Sequence, residues 1–95
     1  MASNTTGKVT EVTDEGRLIT DIDRAKVSAA VGNEEARVEF GGHETIGLFD
    51  EEHGQPETTM VASVGASGRV EIEIVGVDLA GMLGIGVGTE VKVEW

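Results

Sequence analysis

The sequence contains no cysteine, a single proline and very few aromatic residues, which are limited to Phe40, Phe49 and Trp95. Without cysteine, the chain can form no disulfide, no thiolate metal site and no cysteine nucleophile. With so few aromatic side chains, valine, isoleucine, leucine, methionine and alanine must fill the core. No run of about 20 apolar residues is present, so the sequence predicts no membrane-spanning helix.

Basic residues are also scarce. The sequence has seven lysine and arginine residues and 18 acidic residues, which gives a formal net charge of −11. Such a chain is repelled by phosphate backbones and by anionic membrane surfaces, so we expect neither nucleic acid nor membrane as a partner. Acidic side chains also favour solubility, which accounts for the excess without a binding role. The first six residues, MASNTT, are polar, so no signal peptide is expected and the predicted compartment is the cytoplasm.

The 95 residues are enough for one domain with a modest core. We expect residues 1–6 to be loose and residues 7–95 to form the domain. Short segments in which apolar residues alternate with polar ones are separated by glycine turns throughout this region. The pattern predicts an all-β fold, a small antiparallel β-barrel of about seven strands with one or two short helical turns.

Alternation along the predicted strands assigns an inward set of side chains. Glu71 and Glu73 fall between inward residues and should therefore face solvent. Ten residues form the inward set: Val38, Phe40, Met60, Ala62, Val64, Val70, Ile72, Ile74, Val91 and Val93.

Turn and cap residues mark the ends of these segments. Gly16 suits the tight turn of an opening hairpin, because glycine accepts a positive φ. Asp23 is a candidate cap for a short helix that would end before Gly32. Asp78 is the corresponding cap for a second short helix, which would end at Gly84.

Neither histidine has the neighbours of a recognised catalytic or metal site. His53 follows Asp50-Glu51-Glu52, a combination of groups that can bind a divalent metal, but the spacing matches a solvated acidic loop better. His43 follows a pair of glycines and is interpreted as a turn residue. The glycines of segment 84–88 could suggest phosphate binding, but a strand rather than a helix follows them, so we interpret them as turn glycines. No metal site is predicted.

Asp21 and Phe49 each allow two interpretations. A carboxylate within the strand Leu18–Ile22 either faces solvent or is held for a ligand. An aromatic residue at a strand end either caps the core or stacks on a flat base. The residues alone leave both choices open.

Two parts of the sequence together resemble a known family. The first runs from Gly7-Lys8-Val9 to Thr20-Asp21-Ile22. The second has Ser67-Gly68, an alternating strand, a Leu-Gly helix end and a final G-x-x-V-x-V strand. This order is similar to the C-terminal β-barrel domain of the S-adenosylmethionine hydroxide adenosyltransferases, a family that includes fluorinases and chlorinases.

The resemblance implies a set of ligand contacts. Asp21 matches an asparagine that touches adenosine in the family, and an aspartate keeps the acceptor but not the amide donor. Phe49 matches an aromatic residue that lies against the adenine, and the Ser67-Gly68 turn matches the family's Ser-Gly turn. The segment from Ile74 to Gly76 matches a strand end whose backbone contacts the adenine edge. The implied ligand is adenosine or S-adenosylmethionine, and no separate cofactor is implied.

The resemblance also implies that half of a site is missing. Relatives hydrolyse S-adenosylmethionine to adenosine and methionine, or use a halide, with residues of an N-terminal domain that this sequence lacks. In relatives, the substrate lies between that domain and the barrel of a neighbouring subunit in a trimer. We therefore expect a non-catalytic module that contributes half of an adenosine site to a catalytic-domain partner or a homo-oligomer. The alternative is a structural, self-associating barrel that has lost the ligand.

Overall fold

The structure, a computed structural model, describes residues 3–50 and 54–95. These residues form one eight-stranded sheet that is nearly closed into a barrel, with two short helical segments. The all-β prediction is therefore confirmed. A 3₁₀ helix spans Arg24–Val27 and the α-helix α1 spans Leu79–Leu83. The strands are β1 (Asn4–Val12), β2 (Leu18–Asp23), β3 (Arg37–Phe40), β4 (His43–Ile46), β5 (Leu48–Phe49), β6 (Met60–Val64), β7 (Arg69–Ile74) and β8 (Glu90–Glu94).

The strand order around the barrel is β4-β3-β8-β1-β2-β7-β6-β5. All neighbouring pairs are antiparallel except β5 and β6, which run parallel with Leu48 opposite Ala62. The chain bends at Gly47, where φ is 100°, so that β4 pairs with β3 while β5 pairs with β6. The Thr45 hydroxyl donates to the Met60 carbonyl at 3.2 Å across the remaining seam. One continuous segment thus contacts both edges of the sheet.

The core contains the inward set that alternation predicts. Nine of its ten members are buried, and Met60 is half-buried against the same cluster. Leu18 and Ala62 lie on either side of Ile72, in register with it on the two neighbouring strands. Because side chains alternate across a strand, this register places the apolar residues of β2, β6 and β7 together in the barrel interior.

The predicted turn and cap at the second helix are also present. Gly16 has φ of 84° in the β1–β2 turn. The Asp78 carboxylate accepts from the Gly81 amide at 2.9 Å, and Gly84 ends α1 in the left-handed region with φ of 67°. The Ala80 amide donates to the Gly16 carbonyl at 3.1 Å, which fastens α1 to the β1–β2 turn.

Two boundaries differ from the sequence prediction. Residues 4–6, which we expected to be loose, are part of β1. They pair with β8, a strand from the far end of the sequence that lies beside them only in the folded chain. Asp23 precedes a four-residue 3₁₀ helix and makes no side-chain cap bond. Its Oδ1 lies 3.9 Å from Nε of Arg69 instead, on the neighbouring strand.

The two ends of the barrel carry different features. The end with the β1–β2 turn, the last residue of β7 and the start of α1 is named here the α1 end. The opposite end, with the start of β1, the end of β8 and the start of β7, is named the termini end. Within the part of the chain that the structure describes, no helix is both long and apolar enough to cross a membrane.

Candidate functional site

A cavity of about 300 Å³ lies at the α1 end, at the lower limit of the volumes that small-molecule sites occupy. The β1–β2 turn supplies one side of it, and the end of β7 with the turn into α1 supplies the other. Its lining residues are Glu15, Arg17, Glu73, Ile74, Gly76, Val77 and Asp78. Ile74 and Gly76, two of the predicted ligand residues, therefore border an actual cavity.

Arg17 is the cation of this lining and is held by two carboxylates of β7. Its Nη1 donates to Glu71 Oε1 at 3.2 Å, and its Nη2 lies 2.5 Å from Glu73 Oε2. The sequence alone does not indicate the contact to Glu71, since 54 residues separate the two. The pairing follows from the register of β2 with β7, in which Leu18 lies opposite Ile72 and Ile19 opposite Glu71.

Glu71 corrects the expectation that the charged residues of β7 face water. It lies on the outward side of the strand, yet it is only 4% exposed. The Ser67 hydroxyl donates to Glu71 Oε2 at 2.6 Å, while Arg17 covers the other carboxylate oxygen. Gly65 provides the space, because a Cβ there would collide with the carboxylate. Glu73, the other predicted solvent residue, is half-buried in the same group.

The Ser67-Gly68 turn lies at the termini end. The Ser67 hydroxyl accepts from the Arg69 amide at 3.2 Å in addition to its bond with Glu71, and Gly68 has φ of 77°. The Gly68 carbonyl accepts from the Arg24 amide at 2.9 Å. The turn is therefore bonded on both sides by the chain itself.

Asp21 and Phe49 line neither this cavity nor the larger one described below. Asp21 is exposed, and its Oδ1 accepts from the Lys8 amide at 2.9 Å. Phe49 is half-buried, with its ring against Gly47, where a Cβ would lie 3.1 Å from the ring. Asp50, which follows Phe49, is bonded to Arg24 at the termini end.

The predicted ligand residues other than Asp21 thus fall into two groups. Phe49, Ser67 and Gly68 are near the termini end, whereas Ile74 and Gly76 are at the α1 end. Gly68 and Ile74 are six residues apart along an extended strand, a separation of about 20 Å. A single nucleoside bound to one copy of the chain would contact only one of these groups.

A second, larger cavity of about 560 Å³ lies beside the β3–β4 turn. It includes His43, whose ring centroid is 6.0 Å from that of Phe40. Its lining residues are Glu39, Phe40, Gly41, Gly42, His43, Glu44, Thr89, Glu90 and Lys92. In residues 3–50 and 54–95, no three acidic or histidine side chains are grouped as metal ligands. His53 and the acidic residues before it, Glu51 and Glu52, lie outside the described residues.

Arg24 makes an exposed, bidentate ion pair with Asp50. Its two terminal nitrogens donate to the two oxygens of Asp50 at 3.0 and 2.9 Å. This hydrogen-bonded pairing with Asp50 raises the pKa of Arg24 above its ordinary value, so the guanidinium stays charged. Because the pair is exposed, it contributes little to stability.

Comparison with known proteins gives structural neighbours only. No family model and no curated protein matches the chain. An uncharacterized conserved protein from Thermotoga maritima has a TM-score of 0.78 and 19% identity over 95% of this chain and 35% of its own. A conserved hypothetical protein from Thermus thermophilus has a TM-score of 0.71 and 27% identity over 93% of this chain and 34% of its own. The chain spans about a third of the length of each, and the likeness supports the fold.

Proposed function

We propose that this chain is a non-catalytic barrel module that provides one wall of a site for an adenosine-type ligand. A partner protein or a neighbouring domain supplies the rest. The observation that carries the proposal is the cavity at the α1 end, because its lining includes Ile74 and Gly76, for which the resemblance implies backbone contacts to the ligand.

The charges of the lining favour one of the two implied ligands. Arg17 shares the lining with three acidic residues, Glu15, Glu73 and Asp78, so the lining has an excess of negative charge. S-adenosylmethionine carries a sulfonium, an ammonium and a carboxylate, which gives it a net positive charge. The sulfonium and ammonium groups match the acidic side chains, and the carboxylate matches Arg17. Adenosine is neutral and gains less from this lining.

The need for a partner follows from the size of the cavity and from the neighbours. Small-molecule sites bury about 70–90% of a ligand, and this open cavity is at the lower limit of useful volumes. Both solved neighbours are nearly three times as long as the part that this chain matches, so in each of them the barrel is joined to further protein. We therefore expect weak binding by the chain alone, with a Kd of about 1 mM or −4 kcal/mol.

Amide chemical shifts during titration with S-adenosylmethionine and with adenosine test the proposal. Shifts should be confined to Ile74, Gly76, Val77 and the Arg17 region, with tighter binding of S-adenosylmethionine. Glu15→Lys should weaken that binding, while Glu90→Lys, the same charge change beside the other cavity, should not. The purified chain should release no adenosine above the spontaneous rate. Saturating ligand that leaves the α1 end unshifted would rule the proposal out.

Self-association is the second candidate function. Residues 81–88, named here the apolar lip, carry no polar side chain in a chain that is 26% charged. Within the lip, Met82 is 60% exposed and Val87 is 69% exposed. An uncharged surface of this kind allows two acidic copies to meet without placing carboxylates against each other.

A further inference from the structure

Glu71 is unusual among the acidic residues of the chain. Among the residues that the structure describes, it is the one acidic side chain that is almost fully buried. It lies on the outward side of β7, away from the cluster of core residues that includes Val70 and Ile72. Its burial therefore contributes nothing to the packing of the barrel interior. The presence of an acidic residue here must have another cause.

Both oxygens of the Glu71 carboxylate are used by side chains from other elements. Oε2 accepts from the Ser67 hydroxyl at 2.6 Å, and Oε1 accepts from Arg17 Nη1 at 3.2 Å. A carboxylate anchored in this way is rigid, since its own donor Ser67 is fixed within a glycine turn. The Arg17 side chain is 41% exposed, whereas the Glu71 side chain is almost fully buried. The ion pair therefore ties an exposed guanidinium to a buried carboxylate.

Arg17 is the residue that this support brings to the cavity. Glu73 contacts its other terminal nitrogen, so the two carboxylates of β7 together fix the plane of the guanidinium. A guanidinium has five N–H donors, and these two contacts use only part of them. The guanidinium therefore has further donors, and Arg17 is part of the cavity wall.

We infer that Glu71 is a positioning residue that holds Arg17 in the wall of the α1-end cavity. The wall consequently selects a ligand that presents a carboxylate or hydroxyl acceptor to Arg17. This inference rests on the proposed function for its ligand, while the positioning of Arg17 can be measured without any ligand.

The test compares Glu71→Gln with Glu90→Gln, which removes the same charge from the exposed start of β8. The first readout is the side-chain Nε–H resonance of Arg17, assigned by its loss in Arg17→Lys. The second is the affinity for S-adenosylmethionine measured by titration. In Glu71→Gln we expect the Arg17 resonance to move toward that of a free arginine and to broaden, and the affinity to fall about tenfold. Glu90→Gln should leave both unchanged.

Arg17→Lys keeps the positive charge, but a lysine cannot bridge the carboxylates of Glu71 and Glu73. The folded variant should therefore lose about as much affinity for S-adenosylmethionine as Glu71→Gln does. It replaces Glu71→Gln in the affinity comparison if that variant does not fold. An unshifted Arg17 resonance and unchanged affinity in Glu71→Gln would overturn the inference, as would full affinity in Arg17→Lys. If the wild-type chain binds neither S-adenosylmethionine nor adenosine, the proposed function fails, and the Arg17 resonance alone still decides whether Glu71 positions Arg17.

Discussion

The carboxylate of Asp21 is bonded to the backbone of Lys8, with Oδ1 accepting from the Lys8 amide at 2.9 Å. Next to this bond, a Cβ at Gly7 would collide with both the carboxylate and Ile22. The register of β1 with β2 shifts by one residue nearby, between Val9 and Glu11. Asp21 thus satisfies an amide close to a β-bulge, a structural role that needs no ligand.

Asp21→Asn should change stability very little, because the amide oxygen can accept the same bond from Lys8. Asp21→Ala should cost about 1 kcal/mol, since the Lys8 amide loses this acceptor. Urea denaturation of the three chains measures both differences. Equal midpoints for Asp21→Ala and the wild type would show that the bond contributes nothing to folding.

Ile72→Ala should remove a large share of the free energy of unfolding. Ile72 is fully buried between Leu18 and Ala62. A buried Ile-to-Ala change costs about 2–5 kcal/mol, against a total stability of about 5–10 kcal/mol for a domain of this size. Val87→Ala is the control, because Val87 is 69% exposed and its truncation should be close to neutral. Equal denaturation midpoints for the two variants would contradict the assignment of Ile72 to the core.

The sequence predicts the barrel interior well because period-two alternation depends on neighbouring residues only. Val91 and Val93 are both fully buried in β8, as alternation predicts. The capping of α1 by Asp78 is also predictable, since the cap and the amide that it accepts from are three residues apart.

The same alternation fails for Glu71, because it predicts that every outward-facing side chain of a strand is exposed to solvent. Arg17 covers this carboxylate from another strand, and no local pattern indicates a partner 54 residues away. The separation of Ser67 from Ile74 is likewise hidden in the sequence. Both lie in one short segment, yet the extended backbone of β7 carries them to opposite ends of the barrel.

Thr58→Gly should stabilise the chain by up to about 1 kcal/mol, which corresponds to about 4–8 °C in Tm. Thr58 has φ of 66°, and it is the one described residue other than glycine with a positive φ. A β-branched side chain is disfavoured in this conformation, whereas glycine adopts it readily. Thr59→Gly is the matched control and should lower Tm, because Thr59 has no positive φ to relieve. A lower Tm for Thr58→Gly as well would refute the strain argument.

Association between copies of the chain should depend on the apolar lip and on salt. Met82 and Val87 are exposed in the lip, while the net charge of −11 makes copies repel one another. The Debye length falls from about 10 Å at 0.1 M salt to about 3 Å at 1 M, so added salt should strengthen association measured by sedimentation equilibrium.

Met82→Glu and Val87→Glu should each abolish this association, because they bury a carboxylate in the contact. Ile46→Glu is the control, since Ile46 is 51% exposed and lies outside the lip, at the end of β4 opposite Arg37. A chain that stays monomeric in 1 M salt, or a dimer that Ile46→Glu dissociates equally well, would eliminate the lip as the self-association surface.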